Sequence, residues 1–498
     1  MALSSRTTTL TPRVGRAQRV ARVRAGRIPA PLGALLAMAA LAAVAWASVL
    51  PPIQGPDEDG HVAYVQRIAE TGSIPWSRGA VPADPGPPYS TELATALTFG
   101  AITQTWGIPL ARPARTEADE RIWSARDAAL DPDARANGGF TPAMKNPPLY
   151  YIYEALPYAV ASGGSIFDRV FAMRLANIPA LLAVVVFTWL IAGELFARRR
   201  WLQTLATAAV ALQPQLLHMT AVVNPDVFLA AIWSAALYAM IVLVKRGPSA
   251  GRLGALAALT AASCLTQPRG LALVLPAALA AGLALWHARP PTGRWARRLA
   301  TGGAAAVTVA GACALVFYAV RGDLSADRVR ELGSYVWQFY LPELGFMQQS
   351  ISPGYGVGQV FERFFGAFAT LEATFSVGVF RVLKAIVGVV AVLALVGLYR
   401  RRAALRRRWA VVLVVAAAVV GYLALIHAVA FRTLLESGDP VITGRYLLPL
   451  VPLYGVALAL AVQWLPRRWA PVAGAAAVSG VVLLQLAALG VLFTRFYA

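Results

Sequence analysis

The sequence predicts an all-α polytopic membrane protein, and three observations carry that prediction. Of the 498 residues, 58% are hydrophobic and only 14% are charged, against roughly 25% charged in an ordinary soluble domain. Apolar runs near twenty residues recur along the chain, long enough to cross a bilayer core as helices. Arginines gather in short segments between those runs, as they do in cytoplasmic loops. A net charge of +21 would elsewhere suggest a nucleic-acid partner. Its confinement to inter-span segments argues against one.

About eleven spans are expected, at 31–50, 174–196, 202–222, 226–244, 253–266, 270–287, 299–320, 377–399, 409–430, 446–464 and 470–493. The segments 1–30, 197–201, 245–252, 287–298, 399–408 and 466–469 carry 25 basic residues and no acidic one. They alternate as an N-inside, C-outside chain requires. The opposite face receives the acids, fourteen of them in 51–172 and six in 321–376. The arginine-rich start, the run 31–50 and Ala45-Trp46-Ala47 together look like a signal peptide. That run is long for one, so an uncleaved first span is the preferred reading. Residues 1–30 then form a cytoplasmic tail and 31–498 the transmembrane domain.

The extracytoplasmic segments 51–173 and 321–376 are too long for connectors and should carry structure of their own. Within the first, 57–71 and 115–130 read as amphipathic helices suited to a membrane surface. The second is dense in aromatics, from Tyr335 and Trp337 to Tyr355 and Phe365. Two readings stay open for it, an interfacial belt or one wall of a lipid or sugar site. Cys264 and Cys313 both fall in predicted spans, which leaves no disulfide framework or cysteine zinc site. Only three lysines are present and none sits in a glycine-rich loop, so no ATP-driven pump is indicated.

Buried membrane charge usually marks function. Here the charges concentrate just beyond the outer ends of the spans. GPDEDGH at 55–61 places Asp57, Glu58 and Asp59 directly after the first span, at the start of a helix through His61, Tyr64 and Ile68. Anions are favoured there by the helix dipole, and the short tether to a membrane helix suits a general base. MKNPPLYY at 144–151 adds Lys145 and Tyr150 behind a rigid Pro-Pro pair. Arg174, Arg269 and Arg445 lie at outer span ends, against the positive-inside bias, and Tyr446 adjoins the last of them. Asn224-Pro225-Asp226 sits between the third and fourth spans. Arginine suits bidentate phosphate recognition. Carboxylates, a lysine and arginines at one depth on one face are what hydroxyl activation and a departing phosphate require.

This order of motifs resembles the GT-C superfamily of integral-membrane glycosyltransferases. The similarity runs from about residue 45 to 455. It includes an acidic pair after the first span, KNPPLYY at 145–151, Arg174-Leu175, Asp226, and Gly444-Arg445-Tyr446 followed by Pro449. Pro56-Asp57-Glu58 with His61 and the Gly-Arg-Tyr segment are similar to hallmarks of an uncharacterised bacterial family in that clan. The resemblance implies transfer of a sugar from a polyprenyl-phosphate donor to an envelope acceptor (a glycan, lipid or protein). It implies a base at Asp57, with Glu58 next, and phosphate contacts at Lys145 and Arg445, with Arg269 matched by position. Asp59, His61, Tyr150, Arg174 and Tyr446 complete the implied substrate contacts. Where aminoarabinose transferases of the superfamily have an acidic residue before the lysine, this chain has Met144. The run 57–59 is also similar to acidic signatures that bind magnesium or manganese, although many relatives with lipid-phosphate donors need no metal. A transporter of polyprenyl-linked glycans and a non-catalytic subunit of an envelope complex remain the alternatives.

Overall fold

A computed structural model describes residues 28–78, 80–99, 102–108, 111–112, 117–288, 311, 314–347, 355–438 and 442–498. Among these residues, eight helical segments are long and apolar enough to cross a membrane: Ala30–Val49, Ile166–Leu195, Asp226–Arg246, Pro268–His287, Val377–Arg400, Trp409–Ser437, Gly444–Gln463 and Ala470–Phe496. The polytopic all-α architecture follows. The count of eleven does not. The predicted span 202–222 divides into Arg200–Ala211 and Pro214–Thr220, because Pro214 has no N–H to continue the ladder. Gln213 leaves the helix, and its side chain accepts a hydrogen bond from the Leu216 N–H. Ala250–Thr266 is apolar but reaches only 17 residues. The span expected at 299–320 lies largely outside the described residues, as do Cys313 and most of the N-terminal tail.

The helix Asp226–Arg246 is the most deeply packed of the spans. It rests on Ile178–Leu195, Ala250–Thr266 and Val274–His287. Its Trp233 stacks edge-on against Tyr422 with centroids 4.7 Å apart, and the indole N–H donates to Ser263 Oγ at 3.1 Å. The first turn of this central helix therefore brings Asp226 to a fixed place beneath the first long loop.

That loop has a core of its own, built on Ile53, Val62, Tyr64, Val65, Leu93, Trp123, Tyr150, Tyr151, Tyr158 and Phe167. Both expected amphipathic helices form, as Glu58–Thr71 and Glu117–Ala128. The first is not a membrane-surface helix. Its apolar face, with Val62, Tyr64, Val65 and Ile68, is buried inside the loop core, where it excludes water more completely than a headgroup layer would. Helix Ile166–Ala176 returns the chain to the spans, started by a Ser165–Asp168 capping box. The aromatics of the second long loop divide between core packing and exposure. Tyr335 and Phe339 pack on Phe431 and His427, Phe364, Phe365 and Phe368 enter the helical core, and Trp337, Tyr340 and Phe346 stay exposed.

Candidate active site

The chain leaves the first span at Leu50 and folds back over the next eight residues in a strained loop. Ile53 and Asp57 both adopt positive φ, at 57° and 59°, a region unfavourable for side chains and worst for β-branched ones. Such backbone persists only where the surroundings over-determine it. Here the determinant is Glu58. It is fully buried and pairs with Arg174 through both carboxylate oxygens, at 2.8 and 2.7 Å. The same carboxylate accepts from the backbone N–H of Gly55 at 3.1 Å and of Val223 at 3.0 Å. Arg174 spends its remaining donors on the Leu50 and Pro51 carbonyls at 2.6 and 2.9 Å. A Cβ on Gly55 would overlap Val222, so only glycine lets the loop meet the 220–224 turn this closely.

Asp57 is the product of this clamp. It occupies the N-cap position of Glu58–Thr71 but makes no capping hydrogen bond. Its carboxylate instead meets the Arg445 guanidinium in an ion pair. Arg445 also donates to the Pro56 carbonyl at 3.3 Å. Arg445 is 8% exposed and Asp57 is 67% exposed, because the carboxylate faces an open cavity of about 620 Å³. That volume falls in the roughly 300–1,000 Å³ range of small-ligand sites. Burial alone would raise the Asp57 pKa. The charge and hydrogen bond of Arg445, aided by Arg269, outweigh it and hold the carboxyl below its usual range.

Behind this pair stands a second one. Asp226, 1% exposed, accepts from Arg269 at 2.7 Å and from Gln267 Nε2 at 3.1 Å. Its other oxygen lies 3.8 Å from Arg445 Nε, and neither atom has a hydrogen-bond partner. Arg269 lies over the Tyr446 ring at 3.7 Å, within cation–π range. The two carboxylates and two arginines thus alternate from Asp57 inward.

His61 ties the loop to the Asn224-Pro225-Asp226 turn. The Asn224 side-chain oxygen accepts from the Asp226 N–H at 3.0 Å, which orients its amide nitrogen to donate to His61 Nε2 at 3.1 Å. His61 Nδ1 then carries the proton and donates to Tyr151 Oη at 2.8 Å. Burial is the main cause that lowers the His61 pKa, against the opposing pull of Asp57. The imidazole is therefore a neutral strut.

The remaining predicted residues distribute unevenly. Asp59 lines the cavity and accepts from the Tyr89 hydroxyl. Tyr446 lines it as well. Tyr150 is fully buried and donates to Asn177 Oδ1 at 3.4 Å, outside the cavity lining. Lys145 is exposed on the turn Pro142–Lys145 and is absent from that lining. Met144 is buried in the loop core, which accounts for an apolar residue at that position. The acidic run 57–59 is not a metal cage. Its carboxylates diverge toward Arg445, Arg174 and Tyr89. No group of three or more metal-ligating side chains converges among the described residues. A second cavity of about 450 Å³ lies beside Ser48, Phe171 and Tyr497. Its one carboxylate, Asp168, is held in the capping box. Arg363, Thr443 and Trp106 also line the main cavity and were missed by sequence reasoning as site residues, whereas Tyr355, which lines it too, belongs to the aromatic loop for which a site wall was one of the two readings. Arg363 reads in sequence as an ordinary polar position of the amphipathic helix Val357–Gly366.

Both motifs that frame this cavity, GPDEDGH and GRYLLP, fall within one recognised family, whose description, "Predicted membrane protein (DUF2142)", matches residues 41–454. The chain belongs to the DUF2142 family. None of the curated proteins matches it. Two crystal structures of ArnT from Cupriavidus metallidurans are similar to this DUF2142 chain. The apo form gives a TM-score of 0.39 at 17% identity, over 88% of this chain and 61% of that one. The form bound to undecaprenyl phosphate gives 0.40 at 15% identity, over 93% and 74%. The DUF2142 chain thus spans about three-fifths of the length of the first of these. At these scores the overlap is loose and sets no residue correspondence.

Proposed function

We propose that this protein is a membrane glycosyltransferase that moves a sugar from a polyprenyl-phosphate donor to an envelope acceptor on the extracytoplasmic side of a bacterial plasma membrane. One observation carries the reading. Asp57 is an exposed carboxylate at the floor of a ligand-sized cavity, beside a buried arginine and on a backbone fixed by a separate buried pair. The motif order supports the sugar donor, since it resembles the GT-C superfamily. The arginine asymmetry supports the orientation.

In this reading Asp57 takes the proton from an acceptor hydroxyl as its oxygen attacks the anomeric carbon. The bond from that carbon to the phosphate oxygen breaks, and the departing polyprenyl phosphate keeps the electron pair. Attack opposite the leaving group inverts the centre. Arg445 stabilises the charge that grows on the phosphate. The Asp57–Arg445 pair also gives the donor a second task. A carboxylate held below its usual pKa is a weak base, and base catalysis is best when the pKa approaches the working pH. A donor phosphate that engages Arg445 loosens the pair and restores basicity to Asp57 once the donor is in place. No step passes through a metal, because the donor set does not gather one.

The test is sugar transfer in proteoliposomes, with labelled polyprenyl-phosphate sugars and an envelope extract. Wild-type protein transfers label and Asp57→Asn loses about a hundred- to ten-thousandfold in turnover, the usual contribution of a general base. Equal turnover by a folded Asp57→Asn protein removes the base assignment. Absence of transfer from every donor favours the transporter and subunit alternatives.

A further inference from the structure

Among the described residues, four charged side chains line the cavity: Asp57, Asp59, Arg363 and Arg445. Three of them are engaged. Asp57 and Arg445 pair with each other, and Asp59 accepts from Tyr89. Arg363 is different. It is half-buried on the helix Val357–Gly366, and among the described residues it pairs with no carboxylate. Its sequence neighbour Glu362 turns away to Lys384, at 2.7 Å. Burial pushes the Arg363 pKa down and Arg445, a second cation, pushes it further, opposed only by Tyr355 and Tyr446.

A guanidinium partly removed from water beside a like charge is unfavourable unless something neutralises it. Two features show that packing imposes the arrangement. A Cβ on Gly444 would overlap the backbone of Arg363 and Phe364, so Gly444 allows the helix to press directly on the Arg445 segment. Tyr355 fixes the adjacent chain, its hydroxyl bonding both the carbonyl of Ile442 at 2.9 Å and its N–H at 2.7 Å. Next to Ile442, Thr443 lines the same cavity at 5% exposure, and its buried hydroxyl has no hydrogen-bond partner among the described residues. Arg445 Nε is likewise unpartnered. Among the described residues the cavity therefore offers an unpaired guanidinium fork, beside an unpartnered Thr443 hydroxyl and an Arg445 N–H whose nearest carboxylate oxygen, on Asp226, lies 3.8 Å away.

We infer that Arg363, with Thr443 beside it, is the primary receptor for the ligand's phosphate, which it holds against the Arg445 edge. Arg445 is occupied by Asp57 and Arg269 by Asp226, so Arg363 supplies the positive charge that an arriving anion meets first. The identity of the phosphate as a lipid headgroup rests on the glycosyltransferase reading above. The receptor role itself does not.

Full-length protein in nanodiscs would be titrated with undecaprenyl phosphate and with uncharged undecaprenol, and separately with inorganic phosphate, binding being read by native mass spectrometry and thermal shift. Arg363→Gln weakens undecaprenyl phosphate binding by about ten- to a hundredfold, as loss of a charge-assisted contact does. It leaves undecaprenol binding unchanged. Arg363→Lys keeps the charge but not the fork and loses only part of the affinity. Equal undecaprenyl phosphate affinity in wild type and Arg363→Gln overturns the inference. Should Arg363→Gln not fold, Arg363→Lys decides: a loss confined to the phosphorylated lipid supports the receptor, and equal losses for both lipids overturn it. If wild type shows no preference for undecaprenyl phosphate over undecaprenol while inorganic phosphate stabilises wild type and not Arg363→Gln, the receptor stands and the polyprenyl-phosphate donor falls. Indifference of wild type to every phosphate removes both.

Discussion

Asp57 and Glu58 are adjacent carboxylates, each paired with one arginine, and they do opposite work. Glu58 is fully buried, meets Arg174 through two hydrogen bonds and receives two backbone N–H groups besides. Asp57 meets Arg445 while two-thirds of its side chain faces open space. The difference originates in the positive φ at Asp57, which turns consecutive side chains to opposite sides of the loop. A buried pair with every lone pair used is a clamp. A pair whose carboxylate faces the cavity, although its arginine is buried, is available to exchange partners with a ligand.

The sharpest way to break this comparison is to remove one charge from each pair. Asp57→Asn should abolish most turnover, by the two to four decades given above, and cost less stability than loss of the buried clamp, because water screens the exposed carboxylate and the buried Arg445 keeps Asp226 beside it at 3.8 Å. Glu58→Gln should do the reverse in origin. It strands the Arg174 charge in a buried site, and breaking such a pair costs about 3–5 kcal/mol. Chemical denaturation in detergent, read by intrinsic fluorescence, gives both numbers. Similar stability losses for the two variants would show that Asp57 is part of the clamp.

Most of the spans, the folded first loop and the gathering of Asp57, Asp59, Arg445 and Tyr446 were legible in the sequence, and the full count of eleven spans was not. Hydrophobic runs and arginine asymmetry report the bilayer directly, and charges at outer span ends share a depth by construction. What sequence could not supply was direction. Nothing in three consecutive acids says that one will cross into αL and face a cavity while its neighbour is buried. Arg363 lies 82 residues before Arg445 in the chain and reaches it only because Gly444 permits the contact. Asn224 was noticed as part of a turn, yet its role as partner of His61 depends on a hydrogen bond across 163 residues.

The strut that joins those motifs makes a smaller and pH-dependent prediction. His61 is buried and its pKa is lowered in the folded protein. The unfolded chain therefore binds a proton near pH 6.5 that the folded chain refuses. The contribution of neutral His61 is complete above that pH and is lost as pH falls through the lowered folded value, by up to about 1.4 kcal/mol per pH unit. Between pH 7.5 and 5.5 wild type should lose more stability than His61→Gln, which cannot titrate. Parallel pH profiles would mean that His61 is protonated in place.

The smallest expected effect belongs to Lys145, and it tests the boundary of the site. The lysine is exposed and outside the cavity lining, although the sequence pattern nominated it for the phosphate. Lys145→Ala should change stability by no more than about 0.5 kcal/mol. Donor affinity should change by about twofold or less, since twofold is only about 0.4 kcal/mol. A tenfold loss of donor affinity would require the turn Pro142–Lys145 to swing toward Arg363 and Arg445 when donor binds. The loop core resists such a swing. Met144, next in the chain, is 2% exposed within it, and the Met144 carbonyl accepts from the Ser77 N–H at 3.1 Å. Moving Lys145 by several ångströms would pull that side chain into water, at about 1.5–3 kcal/mol for a buried methionine. A donor-dependent gain of hydrogen exchange at 142–146 would therefore accompany a real role for Lys145, and its absence would leave the phosphate to the arginines.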